Sequence, residues 1–289
     1  MPRIAYVNGR YVPHGEASVH VEDRGFQFAD GVYEVVTVVG GKLADEEGHL
    51  ARLGRSLGEL QIPWPVKPAV LKVIMREVVR RNGAQNALLY IQVNRGVAPR
   101  DFRFPANPRP SLVLTCRRTK FQTARQLAEG VPCVTVPDIR WLRRDIKSVA
   151  LLAQVLAKQK AVEAGAFEAW QVDPDGTVTE GSSSNAWIVT ADGVLVTRPA
   201  SNLILNGITR QSILRLAGEL GIPFEERPFT VEEAYAAREA FISSASTFAL
   251  PVTRLDGRSI GDGTPGPLCR KLRQAYMEYV GSPDPVGAA

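Results

Sequence analysis

One lysine stands in an unusual place. In IRWLRRDIKSVALLAQ (139–154), Lys147 ends an irregular stretch directly before an apolar run whose spacing predicts a helix over 148–164. A lysine at a helix entry is ordinarily solvated. Here Ile146 and Val149 flank it, and desolvation favours the neutral, nucleophilic amine. Of the 35 basic residues only eight are Lys, so few side chains are available for Schiff-base chemistry. In VTEGSSSNAWIV (178–189), Glu180 ends a β-branched strand and is followed by Gly181 and three serines. This is either a polar turn or a carboxylate held beside a bank of donors. In LILNGITRQSIL (203–214), Gly207 precedes a helix opened by Thr209. Unpaired N–H groups there suit ordinary capping or a phosphate dianion. In HLARL (49–53), Arg52 follows a helix start, and a guanidinium takes phosphate through two parallel donors. Taken alone it reads as a surface arginine.

Other chemistries have no carrier. There is no GxGxxG after a strand, no Walker A run, no HExxH and no GxSxG. His14, His20 and His49 are scattered and read as surface or capping residues. The acidic residues show no metal-loop spacing, and no metal is expected. Cys116, Cys133 and Cys269 are far apart and form no CxxC, so each reads as a small buried hydrophobe.

The elements that must position these groups follow from periodicity. Ile4–Val12 gives two strands around Asn8-Gly9, and Gly31–Val39 is a β-branched strand. His49–Leu60 and Pro68–Arg81 have helical spacing. Strands follow at 87–93 and 112–116, joined by the long connection RGVAPRDFRFPANPRP (95–110), a length that often marks function. Further strands are expected at 131–136, 167–172, 177–180, 186–189, 194–197 and 240–243. Helices are expected at 209–220, after Thr230 with its partner Glu233, and at 267–280. The tail from Gly281 is expected to fray. Hairpin-linked strands mixed with helices make the fold class α+β.

With 289 residues, 45% hydrophobic and 22% charged, the chain is neither disordered nor fibrous, and it is long enough for two cores. The domains are expected at 1–118 and 125–289, joined by a connection over 119–124. No run is long enough for a membrane span and no signal peptide opens the chain, so a cytoplasmic protein is expected. The net charge is 35 − 30 = +5. The basic residues are spread out without aromatic interleaving, which argues against nucleic acid.

Together, EDRGFQFADGVYEVV (22–36), HLARL, QVNRGVAPRDFRFP (92–105), DIKSVALLAQVLAKQ (145–159), TEGSSSN (179–185), NGITR (206–210) and SASTFALPV (244–252) resemble the D-amino-acid aminotransferases. These are fold type IV enzymes dependent on pyridoxal 5′-phosphate (PLP). The resemblance runs from about residue 4 to residue 260. It implies a smaller α/β N-terminal domain, a larger C-terminal domain with a β-barrel-like sheet core, and a homodimer. It implies that Lys147 forms the aldimine with PLP and moves the proton between Cα and C4′, and that Glu180 pairs with the pyridine nitrogen. Arg52, Gly207, Ile208 and Thr209 would form the phosphate cup. Ser244 and Ala245 join it, Ala245 standing where the family uses Thr. Leu205 would pack on one ring face, with Ser182, Ser183 and Ser184 on the cofactor side. Tyr33, Val35, Arg100, Phe102, Arg103 and Ser246 would face the substrate. The family usually reads Arg-x-His after the proline; here Phe102 replaces the His, and Arg103 is the compensating charge.

The implied reaction is transamination of D-amino acids such as D-alanine or D-glutamate with 2-oxo acids such as 2-oxoglutarate or pyruvate, in two half-reactions. The same fold also serves branched-chain aminotransferases, (R)-amine transaminases and aminodeoxychorismate-type lyases. Tyr33-Glu34-Val35-Val36 argues against the branched-chain type, which usually carries Phe-Glu-Gly, and Phe102 leaves an amine activity open.

Overall fold

The computed structural model describes residues 3–281; the tail expected to fray lies outside them. The described residues form two compact units. Among them, residues up to Lys120 with Ile146–Ala150 form the first, and Phe121–Asp145 with the residues from Leu151 on form the second.

In the first unit, β1 (Ile4–Val7) and β2 (Arg10–Pro13) meet at Asn8 and Gly9. Both turn residues have positive φ, 46° and 93°, as a two-residue hairpin requires. With β3 (Gly31–Val39), β4 (Lys42–Leu43), β5 (Ala87–Asn94) and β6 (Ser111–Arg118) they form an antiparallel sheet in the order β2-β1-β6-β5-β3-β4. Helix α1 (Arg24–Phe28) precedes β3 and is capped by the Asp23 side chain, which accepts from Gly25 N–H at 2.8 Å. Helices α2 (Glu46–Glu59) and α3 (Pro68–Arg81) carry their apolar stripes, including Leu50, Leu53, Leu57, Leu71, Ile74 and Val78, into one core with Val36, Leu89, Ile91 and Leu114.

The 95–110 connection is tied down rather than loose. Asp30 accepts from Arg95 Nε (2.8 Å) and Nη2 (3.0 Å), and from Arg24 Nε (2.7 Å). Arg24 Nη1 reaches forward to the carbonyl of Asp101 at 2.6 Å. The Arg95 guanidinium lies 3.5 Å from the centroid of the Phe104 ring. Gly96, at φ 108°, lets the backbone close on Arg109, whose carbonyl oxygen would sit 1.9 Å from a Cβ.

Ile146–Ala150 belongs with this unit, not with the second as the 125–289 range expects. The reason is a short extended pairing with β3. Tyr33 N–H donates to Lys147 C=O at 3.0 Å, Val149 N–H donates to Gly31 C=O at 3.0 Å, and Val32 opposes Ser148. Those backbone groups are therefore not available to a helix, and the helix expected from Ser148 begins at Leu152.

The second unit contains α4 (Ala124–Glu129), β7 (Val131–Pro137), α5 (Leu152–Glu163), β8 (Glu168–Val172), β9 (Val178–Gly181), β10 (Asn185–Val189) and β11 (Leu195–Thr197). It continues with α6 (Ile208–Glu219), β12 (Phe224–Glu226), α7 (Val231–Ala236), β13 (Glu239–Ser244), β14 (Phe248–Leu255), β15 (Arg258–Ser259) and α8 (Pro267–Tyr279). The sheet runs β12-β11-β10-β13-β14-β7-β8-β9. That order forces curvature. On the path, β9 lies five strand steps from β10, roughly 24 Å if flat. Three residues join them, a reach of about 14 Å at most. The sheet must curl, in keeping with the β-barrel-like core expected of the larger domain. Trp187 and Phe241 face each other across β10 and β13, stacked at 5.3 Å, and anchor one face. Thr230 and Glu233 form the expected capping box of α7, and Thr123 with Gln126 a second, on α4. No helix of the described residues is long and apolar enough to cross a membrane.

Asp30→Asn leaves two buried guanidinium groups facing a neutral amide. It is expected to destabilise the protein by about 3–5 kcal/mol, read as a lowered urea midpoint.

Candidate active site

The first unit contributes two clusters on β3. Strand alternation puts Tyr33 and Val35 on one half-exposed face and Glu34 on the buried one. Lys147 is half-buried. Its backbone is fixed by Tyr33 and by Ser56 Oγ, which lies 3.3 Å from Lys147 N. Its Nζ stands 4.3 Å from the centroid of the Tyr33 ring. The neighbour that matters is thus an aromatic face, not the Ile146–Val149 pair the sequence offers. Tyr90 packs beside Tyr33 at 5.6 Å, and burial, with the second phenol nearby, pushes the Tyr90 hydroxyl up to about 12.

On the other face, Arg52 is turned onto Glu34. Its Nε and Nη2 each donate to the carboxylate at 2.8 Å, and His49 Nδ1 lies 2.7 Å from Glu34 Oε2. Burial alone would raise the Glu34 carboxyl. The Arg52 charge and hydrogen bonds, with His49, outweigh it and hold Glu34 at about 2. His49 is therefore a buried partner, not the surface or capping residue expected. Any phosphate taken by Arg52 meets a guanidinium whose orientation Glu34 already sets.

Arg100, Phe102 and Arg103 ride on the 95–110 connection. The Arg100 guanidinium lies over Phe28 at 4.9 Å from its centroid, and Phe102, 82% exposed, packs on the same ring. Arg103, expected as the compensating charge, is exposed and has a partner. It folds back on Asp101, with Nη2 2.6 Å from Oδ2, because the two residues are neighbours in one turn.

In the second unit, Glu180 is buried at the end of β9. Asn185 Nδ2 donates to it at 3.1 Å, Leu205 N–H at 3.1 Å, and the Arg140 guanidinium closes tightly on Oε1. Burial pushes the Glu180 carboxyl above its ordinary value, and Arg140 pulls the other way. Arg140 is itself held fully charged, the pull of Glu180 and Asp138 exceeding the cost of burial.

The three serines are not turned toward a ligand. Ser182, Ser183 and Ser184 all donate to Glu168, the latter two at 2.8 and 3.1 Å. Glu168, 1% exposed, also accepts from its neighbour's N–H, Ala169, at 3.0 Å. A buried carboxylate needs this many donors, and the hydroxyls fix the turn between Glu180 and Asn185.

Helix α6 begins after Gly207 with no side-chain cap. A Cβ at Gly207 would fall 2.1 Å from Asn185 Oδ1, so only glycine fits where the 205–207 segment passes Asn185. Asn185 Nδ2 also donates to Leu205 C=O at 2.9 Å. Ile208 and Thr209 thus present a first turn whose N–H groups no side chain caps, in a position fixed by the Glu180 cluster. Beyond β13, Ser246 and Thr247 N–H both bond Ser244 Oγ, at 3.3 and 3.2 Å, and Ala245 sits half-buried in that tight turn.

Glu34, His49, Arg140 and Asn185 escaped the reading of the sequence. A charged residue inside a β-branched strand was the available signal for Glu34, since such a group needs a partner. Arg140 and Asn185 carry no local signal. Within the second unit, a buried carboxylate with its own guanidinium and an uncapped N-terminus on a helix of twelve residues suit a phosphorylated pyridine; the first unit offers the Lys147 amine. Among the described residues no group of His, Cys, Asp and Glu is placed to hold a metal ion.

Comparison with known proteins agrees. Residues 31–255 match the family model described as amino-transferase class IV. The chain is 43% identical over 273 residues to the D-alanine aminotransferase of Bacillus licheniformis, covering 94% of this chain and 95% of that one. It is 41% identical over 277 residues to that of Staphylococcus haemolyticus, covering 96% and 98%. The Escherichia coli branched-chain amino acid aminotransferase, in its crystal structure, superposes with a TM-score of 0.90 at 25% identity, covering 99% and 97%.

Glu34's depressed value means that its contribution to stability is complete above about pH 4.5 and is lost as the pH falls toward 2. Glu34→Gln is expected to remove roughly 3 kcal/mol at neutral pH and to flatten that acid limb, measured as denaturant midpoints across pH.

Proposed function

The chain belongs to the class IV aminotransferases, and from that premise we infer that it is a PLP-dependent D-amino-acid transaminase, passing the amino group of substrates such as D-alanine or D-glutamate to 2-oxo acids such as 2-oxoglutarate or pyruvate. The observation that carries this is the 40% and higher identity to D-alanine aminotransferases over nearly the whole chain. The branched-chain aminotransferases share the fold at only 25–28% identity among the structures compared.

Bound PLP supplies an aldehyde that condenses with amines and a ring that accepts an electron pair from the substrate Cα. The residues divide the work around it. Lys147 Nζ is the amine that would hold the aldehyde carbon and would serve as the base that moves the proton between the substrate Cα and C4′. The Tyr33 ring under Nζ limits where that amine can reach. Glu180 would accept from the ring nitrogen, with Arg140 keeping the carboxylate oriented for it. Arg52 and the first turn of α6, at Ile208 and Thr209, take the phosphate, with the Ser244–Ala245 turn beside them in role. Leu205, anchored through both its N–H and C=O, would pack on a ring face. Tyr33 and Val35 contact the substrate side chain. Arg100 takes the substrate carboxylate, and the exposed Phe102 gives the carboxylate side an apolar surface where the family has an imidazole.

The enzyme acts as a homodimer in the cytoplasm. In support, Phe26 and Phe104 stand 75% and 55% exposed alongside the exposed Phe102, an aromatic surface that a second copy would cover, and all three cysteines are free and buried.

Purified protein should be yellow with PLP, and D-alanine should bleach the visible band far faster than L-alanine. A protein that stays colourless after reconstitution, or that responds equally to both enantiomers, overturns the reading. Lys147→Ala should abolish turnover while PLP still binds without covalent attachment; retained transamination removes Lys147 from the mechanism. Arg100→Ala should raise KM for D-alanine far more than for (R)-1-phenylethylamine, which has no carboxylate, and equal effects refute its role.

A further inference from the structure

Glu180 does not end at Arg140. Arg140 Nε and Nη2 bond Asp138 at 3.0 and 2.6 Å. Arg144 Nη1 lies 3.2 Å from the same Asp138 and 2.9 Å from Asp173. Arg198 Nη2 lies 3.4 Å from Asp173, and its Nη1 donates to Thr177 Oγ1 at 2.8 Å. The sequence Glu180–Arg140–Asp138–Arg144–Asp173–Arg198 alternates in sign throughout. It has three carboxylates and three guanidiniums, and no side chain in it is more than 12% exposed. Its far part also touches the segment before Leu205 and the first turn of α6. Arg144 N–H donates to Asn202 C=O at 3.0 Å, ahead of Leu205, and Arg210, in the first turn of α6, donates to Arg198 C=O at 2.8 Å.

We propose that this alternating chain sets Glu180, and that Arg144, two members beyond Arg140, is a positioning residue for the carboxylate that meets the pyridine nitrogen. The proposal rests on the PLP role assigned to Glu180 above. Buried ions in a row are stable only while their number balances. Asp138 is shared between Arg140 and Arg144. Removing the Arg144 charge leaves Asp138 with one guanidinium, which it must then draw away from Glu180. The surplus buried negative charge is relieved when Glu180 takes up a proton, and its hold on the ring nitrogen is lost. Removing the Asp173 charge as well restores the balance, with Glu180 and Asp138 against Arg140 and Arg198. A residue that acted only by filling space would show no such compensation.

The test compares wild type, R144M, R144K, D173N and R144M/D173N, each saturated with PLP. It reads the position of the visible band and the rate of PLP loss on dilution. R144M should move the band and speed PLP loss about tenfold, the scale on which partners of a ligating group act. R144K should restore part of both. The double variant should return to within about twofold of wild type, against the sum of losses that independent sites would give. An R144M protein with the wild-type band and rate, or a double variant with summed losses, overturns the proposal. If R144M does not fold, R144K and the double variant decide it by the same criteria. A wild type that never takes up PLP overturns the functional reading and this inference with it, whereas a yellow wild type with unmoved variants overturns the chain alone.

Discussion

A carboxylate taken out of water must be given back what the water supplied. Glu180 meets this demand from three elements at once: Arg140 before α5, Asn185 at the start of β10, and the backbone of Leu205 ahead of α6. Each donor fixes the segment that carries it. Asn185 holds Leu205 and excludes any side chain at Gly207, and Gly207 opens α6. The placement of α6, with its uncapped first turn, therefore follows from the solvation of one buried acid. The first unit solves the same problem with Glu34, held by Arg52 and His49 under the strand that presents Tyr33.

The topology of the second sheet supplies the frame. Its curl is imposed by a three-residue link between strands five steps apart, and that link is where the serines stand. Their hydroxyls converge on Glu168, so a short connection is stapled from within. A polar tripeptide that reads as a ligand-binding bank is here the fastening of a tight turn. It serves the site by bringing Asn185 back onto the Glu180 carboxylate.

Much of this was legible in the residues. β3 and α3 fall at the expected positions because β-branched runs and helical Leu/Val spacing dominate their local energetics. The Thr230–Glu233 box was readable because capping is local. Most of the errors are cases where a distant partner decided. Ser148–Ala150 have helical neighbours, yet the backbone there serves β3. Phe248–Leu255 forms a strand that its sequence, with Pro251 inside, does not announce. Lys147, Glu180 and Arg52 stood out by type and context, and the structure adds their partners. His49, Glu34 and Arg140 did not, because a buried ion pair between residues fifteen or forty positions apart leaves no periodic trace. The Arg103–Asp101 pair was missed for the opposite reason, since the two residues are only two positions apart.

The visit of Ile146–Ala150 to the first unit bears on how the chain can be divided. A cut at residue 120 looks like a clean boundary on the sequence. It would leave Tyr33 N–H without the carbonyl it bonds and would take Lys147 away from the strand that seats it. The first unit is therefore not a module that can be expressed, swapped or fused as a contiguous piece. Its identity depends on a five-residue strap that arrives after part of the second unit has been made. A ribosome releases β3 well before the strap, so the nascent first unit waits with that backbone donor unsatisfied, and the order of synthesis makes Lys147 among the last of its parts to be seated.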